Sequence, residues 1–253
     1  MPFAPEHETF RDSVRAFVER EIAPHVNAWD EAESFPRALY RRAAEMGLLG
    51  LGYPEVLGGT PADGWYRLVA TEEIARAGSG GLMASLFSHS IGLPPIVAHG
   101  SQALQQRIVP AVLAGEQIAA LAITEPGGGS DVARLRTTAR RDGDHWLIDG
   151  EKTFITSGLR ADWITLAVRT GGPGASGISL IAVPGDAMHA AHGLPPLATL
   201  LDGALSLGVE VIACQSGLSL CGLAAEDLDQ RISAGGPVSF LQAMSPDDRL
   251  TLA

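Results

Sequence analysis

The chain has 253 residues, a net charge of −11, and 46% hydrophobic and 19% charged residues. These values are typical of a folded globular protein and exclude a disordered chain. The acidic balance, without any basic stripe, excludes a protein that binds nucleic acid through its phosphates. Seventeen of the basic residues are arginines, and Lys152 is the only lysine, a bias that we interpret as genomic base composition.

The two cysteines, Cys214 and Cys221, are too few for a disulfide framework, and no cluster of residues with metal-ligand spacing accompanies them. The N-terminal residues are charged, unlike a signal peptide. No apolar run reaches the roughly 20 residues that a membrane span needs. We therefore expect a cytoplasmic protein without a metal site or a membrane span.

Residues 1–118 have the apolar periodicity of a helical bundle. Apolar residues from Phe10 to Ile22 recur at helical spacing, and a second helix is predicted from Pro36 to Met46. A third helix is predicted over 65–77. Ser101 is placed as the N-cap of a further helix that Pro110 should kink or break.

Residues 119–185 are instead rich in short β-type segments separated by Gly, Asp and Ser turns. They predict a second domain, an antiparallel β domain whose strands stop at Pro184. The predicted strands are AALAIT (119–124), LRTTARR (ending at 141), HWLIDG (145–150), TFIT (153–156), WITLAVRT (163–170) and GISLIAV (177–183).

The pattern changes again over 194–253. An amphipathic helix (194–208) precedes a continuous apolar run, VEVIACQ (209–215), which is typical of a strand buried on both faces. A short helix around 238–244 and a strand over 248–253 follow, so this segment predicts a short parallel α/β layer. The predicted fold class is therefore α+β, with a helical domain, a β domain and a terminal α/β segment.

The most informative segment joins a predicted strand to a glycine-rich turn, in the sequence AITEPGGGSD (122–131). Such a turn exposes backbone N–H groups without side-chain bulk, so it can approach a flat or anionic ligand closely. Taken alone, a glycine-rich loop between strands is more often a plain turn. It matches neither GxGxxG nor GxxxxGK[ST], so the usual phosphate-binding loops are excluded.

A second segment, GEKTFITSG (150–158), follows about twenty residues later. Together the two segments resemble the acyl-CoA dehydrogenase family, in which TEPxxGSD followed by GxKx[WF]I[TS][NS] marks the β domain that holds FAD. The helical segments before them also resemble that family, in the family's order. The resemblance covers about the first 185 residues.

The resemblance implies the cofactor FAD and a set of residues that contact it. Ser130 would also touch the pantetheine arm of an acyl-CoA substrate, and Phe154 would pack on the flavin where the family often has Trp. An apolar wall and hydrogen-bond donors around the ring suit a cofactor that accepts a hydride. The implied FAD-binding residues are Leu121, Ile123, Thr124, Gly129, Ser130, Phe154 and Thr156.

The resemblance also implies α,β-dehydrogenation of an acyl-CoA thioester, electron transfer to an electron-transferring flavoprotein, and homo-oligomers. In the family a glutamate of a C-terminal helical domain removes the α proton. After residue 151 the only glutamates are Glu210 and Glu226, and neither lies in a similar segment. The catalytic base is thus unassigned, and we expect a truncated family member with impaired activity.

Residues 194–253 resemble the C-terminal half of DsrE-like sulfur-relay proteins, in which a cysteine at the end of a parallel strand carries persulfide. Cys214 matches that cysteine. The alternative is an inert thiol in a buried strand. The alternative functions are therefore sulfur transfer through Cys214, or a non-catalytic remnant, and we interpret the junction near residues 185–195 as a genomic deletion or a gene-model artefact.

Overall fold

The computed structural model of the protein describes residues 3–185, together with the backbone of two short strands at 212–214 and 233–235. The chain divides into two units, residues 1–191 and residues 192–253. The predicted helices at 194–208 and 238–244 and the predicted strand at 248–253 lie outside the described residues.

Eight α-helices fill the N-terminal part of the first unit, as the apolar periodicity predicts. They are α1 (Pro5–Glu21), α2 (Val26–Glu31), α3 (Ala38–Glu45), α4 (Gly64–Ala75), α5 (Gly80–Leu86), α6 (His89–Gly92), α7 (Pro94–His99) and α8 (Gln102–Leu113). Their main core contains Val14, Phe17 and Ile22 of the first stripe, packed with Leu39 and Ile74.

Polar caps fix where several helices begin. The Asp63 carboxylate accepts hydrogen bonds from the backbone N–H groups of Trp65 and Tyr66 at the start of α4. The Ser101 hydroxyl accepts one from Leu104 N, which confirms the predicted N-cap of α8. The predicted break at Pro110 does not occur, since α8 continues to Leu113. Pro110 lies in the last turn of α8. Because proline has no backbone N–H group, one helical hydrogen bond is lost there, close to the end of the helix.

A buried carboxylate joins α1 to α4. Glu73 is 1% exposed and accepts hydrogen bonds from Arg11 and Arg15 of α1, at 3.0 to 3.2 Å. Arg76 Nε lies 3.1 Å from the same carboxylate. Hydrogen bonds from Arg15 first of all, and then from Arg11, lower the pKa of Glu73 in spite of its burial.

Five strands form one sheet after the helices: β1 (Ala119–Ala122), β2 (Thr138–Asp142), β3 (His145–Asp149), β4 (Trp163–Arg169) and β5 (Ile178–Pro184). The strand order is β1-β4-β2-β3, and β5 also pairs with β4. The α+β class is confirmed.

The sheet is mixed rather than antiparallel throughout. The pairs β2–β3 and β4–β5 are antiparallel, as expected, whereas β1 and β4 are parallel with Ala119 opposite Trp163. The expectation of a purely antiparallel domain was therefore wrong in this respect. Parallel neighbours need a long crossover, and residues 123–162 supply it.

The segment TFIT (153–156), predicted as a strand, is not one. Phe154 and Ser157 have positive φ angles of 55° and 61°, which interrupt an extended backbone. Aromatic and β-branched residues favour strands, but here the local backbone overrides that preference.

The sheet packs closely on the helices through β1. The Ser88 hydroxyl donates to Ala119 O at 2.8 Å, and the Thr165 hydroxyl of β4 donates to Gly92 O at 2.6 Å. A Cβ atom on Gly92 would lie only 2.9 Å from Ala120 O, so glycine is needed there. The start of β1 is thereby held against α6.

In the second unit, Ile212–Cys214 (β6) pairs in parallel with Ser233–Gly235 (β7). Residues 212–214 of the strand predicted over 209–215 are therefore in a strand, and the rest of that prediction lies outside the described residues. Among the described residues no single helix is long and apolar enough to cross a membrane. Gly80–Leu86 and His89–His99 meet that test only when joined across a 47° bend.

Candidate flavin and acyl site

The glycine-rich turn directly follows the end of β1. Two backbone hydrogen bonds close it, from Glu125 N to Gly128 O (3.0 Å) and from Gly128 N to Glu125 O (3.1 Å). A Cβ atom added to Gly127 or Gly128 would meet no other atom within 4 Å. The turn thus presents bare backbone to open space, as its sequence predicts.

An ion pair beneath the turn joins it to the second motif. Lys152 Nζ lies 2.9 Å from Glu125 Oε1 and also donates to Ile123 O at 2.9 Å. The side chain of Lys152 is 2% exposed and that of Glu125 is 10% exposed. The only lysine of the chain is therefore a buried link between the two motifs.

Neutral donors complete the surroundings of Glu125. The carboxylate accepts the backbone N–H groups of Arg136 (2.7 Å) and Thr137 (2.8 Å) and the Thr137 hydroxyl (2.6 Å). Burial acts to raise the pKa of Glu125, but the hydrogen bonds from Thr137, Arg136 and Lys152 together lower it to about 2. Burial lowers the pKa of Lys152, and the hydrogen bond and charge of Glu125 oppose that effect.

A backbone hydrogen bond places the second motif beside the first. Thr153 N donates to Thr124 O at 2.9 Å, so the residue before Phe154 is attached to the residue before Glu125. Phe154 itself is 92% exposed and adopts the left-handed backbone conformation. The ring of Phe154 therefore presents a wide apolar surface that is available to a flat ligand.

Thr156 lies on the wall of a cavity of about 640 Å³ in the helical region. The cavity is bounded by residues 48–54, by α4, and by the stretch from Met83 to Ala98. This volume lies within the range of small-molecule sites. The second motif thus contributes Thr156 to the wall of a cavity that the sequence did not predict.

The seven implied FAD-binding residues fall into two groups in the structure. Leu121 and Ile123 are partly buried along the end of β1, and Thr124 follows them. Gly129 approaches Thr124, since a Cβ on Gly129 would lie 3.5 Å from the Thr124 methyl group, and Ser130 is exposed beside it. The hydrogen bond between Thr153 and Thr124 then joins the segment of Phe154 and Thr156 to this first group.

Sequence reasoning overlooked three residues of this region: Glu125, Thr137 and Lys152. The isolation of Lys152 among seventeen arginines was available as a clue. The ammonium group of lysine is more compact than a guanidinium, so lysine suits the confined, buried position beside Glu125.

Two family models match the chain. The model for the acyl-CoA dehydrogenase N-terminal domain matches residues 4–116, and the model for the middle domain of the same family matches residues 120–198. The chain belongs to the acyl-CoA dehydrogenase family.

Individual acyl-CoA dehydrogenases agree with this assignment. The mitochondrial long-chain specific enzyme of Sus scrofa is 38% identical over 184 residues, which are 72% of this chain and 43% of that protein. A solved structure from Mycobacterium abscessus, described as a probable acyl-CoA dehydrogenase, is 50% identical with a TM-score of 0.70, over 72% of this chain and 49% of that one. The chain thus spans about half the length of these relatives.

An acyl-CoA dehydrogenase from Bacillus anthracis, solved in complex with FAD, is 31% identical with a TM-score of 0.64. The match covers 73% of this chain and 32% of that one.

The catalytic base of acyl-CoA dehydrogenases remains unassigned here. Within residues 3–185 the two most deeply buried glutamates, Glu73 and Glu125, are each held by charged hydrogen bonds that lower their pKa. A carboxylate that binds protons this weakly is a poor general base. Neither glutamate is therefore assigned as the catalytic base.

The sulfur-relay interpretation rests on Cys214 alone. Cys214 is the last described residue of β6. The resemblance of 194–253 to DsrE-like proteins gains no support from the family models, which match residues 4–116 and 120–198. A persulfide role for Cys214 stays a prediction.

Proposed function

We propose that the chain binds FAD between the glycine-rich turn and Phe154, and that it takes part in α,β-dehydrogenation of an acyl-CoA thioester. The observation that carries the proposal is the hydrogen bond from Thr153 N to Thr124 O. It attaches the segment that carries Phe154 and Thr156 to Thr124, close to the start of the bare backbone turn. These groups fit a flat, heteroatom-edged ring system such as a flavin.

Each group has a separate task in this proposal. The open backbone of 127–129 approaches the ligand without side-chain obstruction, and Ser130 lies beside it for the phosphates or the pantetheine arm. Thr124 and Thr156 supply hydroxyls for the polar edges of the ring. Phe154 excludes water from one face.

The bound flavin would accept the hydride from the β carbon of the thioester. The 640 Å³ cavity that Thr156 lines supports the substrate part of the proposal, because its walls are mainly apolar and suit an acyl chain. An electron-transferring flavoprotein is the electron acceptor that we propose, by family resemblance. We also propose a cytoplasmic location and a homo-oligomer.

Flavin retention tests the proposal directly. The purified chain is incubated with FAD and separated from free FAD by gel filtration, and flavin absorbance is then measured in the protein peak. We expect bound flavin in the parent chain and at least about 10-fold weaker binding in the double variant Thr124→Val, Thr156→Val, because two polar contacts are lost. Thr9→Val is the matched control, since Thr9 is an exposed residue of α1.

A colourless protein peak at saturating FAD would overturn the proposal. Equal FAD affinity in the parent and the double variant would overturn the assignment of the two hydroxyls. Anaerobic addition of an acyl-CoA to the flavin-loaded chain tests the reaction itself, since hydride transfer bleaches flavin absorbance.

A further inference from the structure

The walls of the 640 Å³ cavity contain one charged side chain. Arg67 of α4 lies on the cavity wall, and no aspartate or glutamate lines it within the described part of the chain. His89, also on the wall, is buried, and burial lowers its pKa to about 4, so it is neutral at pH 7. The cavity therefore combines apolar walls with a single positive charge.

Among the described residues, none forms a side-chain hydrogen bond or ion pair with the guanidinium of Arg67. Over residues 3–185 no carboxylate lies within ion-pair distance of Arg67. Four other polar side chains on the wall already form hydrogen bonds with backbone carbonyls. Hydrogen bonds of this kind are made by Tyr53, Thr71, Ser88 and His89.

The position of Arg67 is defined by the backbone on which it rests. A Cβ atom added to Gly52 would lie 2.6 Å from Arg67 Nη2, so the guanidinium lies directly against this glycine. Gly52 has a φ of +74°, which also favours glycine. The charge of Arg67 is close enough to Tyr53 to oppose the rise of the Tyr53 pKa to about 12 that burial causes.

Arg67 faces the cavity from the same side of α4 as other residues of the cavity wall. Arg67, Ala70 and Thr71 are three and four residues apart on α4, so they share one helix face, and all three line the cavity. Thr156 lines it too. One ligand molecule in this cavity can therefore contact both Thr156, at the proposed flavin site, and Arg67.

We propose that this cavity takes an acyl group that ends in a carboxylate, and that Arg67 binds that carboxylate. The inference rests on the proposed function, because it assumes that the cavity holds the acyl part of a thioester. A carboxylate matches the donor geometry of a guanidinium, and the apolar walls match the methylene chain. Arg67 is in this sense a specificity-determining residue for dicarboxylic monothioesters.

Calorimetric titration of the full chain with matched thioesters tests the inference. The probes are hexanoyl-CoA against adipoyl-CoA, and decanoyl-CoA against sebacoyl-CoA, which differ within each pair by the terminal carboxylate. We expect about 3- to 10-fold tighter binding of the dicarboxylic member in at least one pair, a modest factor because Arg67 is solvent-exposed.

Three variants locate the effect. Arg67→Met should abolish the preference, and Arg67→Lys should retain part of it because the charge remains. Arg41→Met is the matched control, since Arg41 is an exposed arginine that does not line the cavity. It should keep the full preference.

Equal affinities within both pairs, no binding of any probe, or a preference that survives Arg67→Met would each overturn the inference. Flavin absorbance of the same preparations separates this failure from that of the proposed function. Retained flavin without a carboxylate preference contradicts the role of Arg67 alone. A chain that retains no flavin contradicts the proposed function, whatever the thioesters show.

Discussion

Two buried glutamates, Glu73 and Glu125, are held in different ways. Glu73 lies between α1 and α4 and is surrounded by the guanidinium groups of Arg11, Arg15 and Arg76. Glu125 lies under a turn and is held by one ammonium group, two backbone N–H groups and a hydroxyl. In both cases the pKa is lowered.

The difference lies in what each carboxylate fixes. The donors around Glu73 are side chains of two long helices, so the cluster fixes the packing of whole elements. The donors around Glu125 include the backbone of 136–137 and the lysine of the second motif, so that cluster fixes the path of loops. We therefore expect losses at Glu73 to reduce stability, and losses at Glu125 to reduce ligand binding as well.

Glu73→Gln should have the largest effect on stability. The variant leaves guanidinium groups facing a neutral amide in a buried position, and removal of one partner from a buried ion pair costs about 3–4 kcal/mol. The free energy of unfolding in urea measures the loss. Glu72→Gln is the control, since within residues 3–185 its exposed carboxylate pairs with Arg11 alone, and it should cost under about 1 kcal/mol. Similar losses in the two variants would contradict the role given to Glu73.

Glu125→Gln should cost less stability, about 2 kcal/mol, because one ammonium group, rather than three guanidinium groups, loses its anionic partner. It should also weaken FAD binding about 10-fold, since the turn and the second motif lose their common anchor. Urea unfolding and flavin retention are measured on the same samples. A stability loss without any change in FAD affinity would make Glu125 a purely structural residue, like Glu73.

Acid titration should test the lowered pKa of Glu125. The pKa of Glu125 is about 2 in the folded chain and near 4.5 when unfolded, so its stabilising contribution is complete above pH 4.5 and is lost as the pH falls towards 2. Glu125→Gln should make the acid limb shallower by up to about 1.4 kcal/mol per pH unit. Unfolding measured at several pH values tests this. Parallel acid limbs for the parent and Glu125→Gln would contradict the lowered pKa.

Phe154→Gly should have the smallest effect on stability. Phe154 is 92% exposed at a φ of 55°, so glycine relieves an unfavourable backbone conformation at little loss of packing. The change in unfolding free energy should stay within about 1 kcal/mol. FAD affinity should nevertheless fall, because the ring face is lost. Leu159→Gly, at an 88% exposed position, is the control and should leave FAD affinity unchanged.

Local patterns predicted much of the fold. The apolar stripe of α1, the cap at Ser101 and the strand over 145–150 each depend on residues close in sequence, and all three are present. The two motifs could also be placed in one site, because their joint occurrence points to a family. The hydrogen bond between Thr153 and Thr124 agrees with that placement.

Features that depend on distant residues could not be predicted. The parallel pairing of Ala119 with Trp163 spans a crossover whose geometry no local pattern encodes. The left-handed backbone at Phe154 contradicts the strand preference of its neighbours. The cavity beside Arg67 is lined by α4, residues 48–54 and the stretch from Met83 to Ala98, so it exists only after these segments have packed together.

The parallel pair of β1 and β4 has a consequence for the continuity of the chain. The segment between Ala122 and Trp163 starts at the end of β1 and finishes at the start of β4. Because β1 and β4 are neighbours in the sheet, each end of this segment is anchored by its own strand. Its tip is the two-residue turn at Gly143, where β2 and β3 meet. A cut at that turn would leave one motif attached to β1 and the other to β4, with β2 and β3 still able to pair. The region that holds both motifs is thus suited to reassembly from two separate polypeptides.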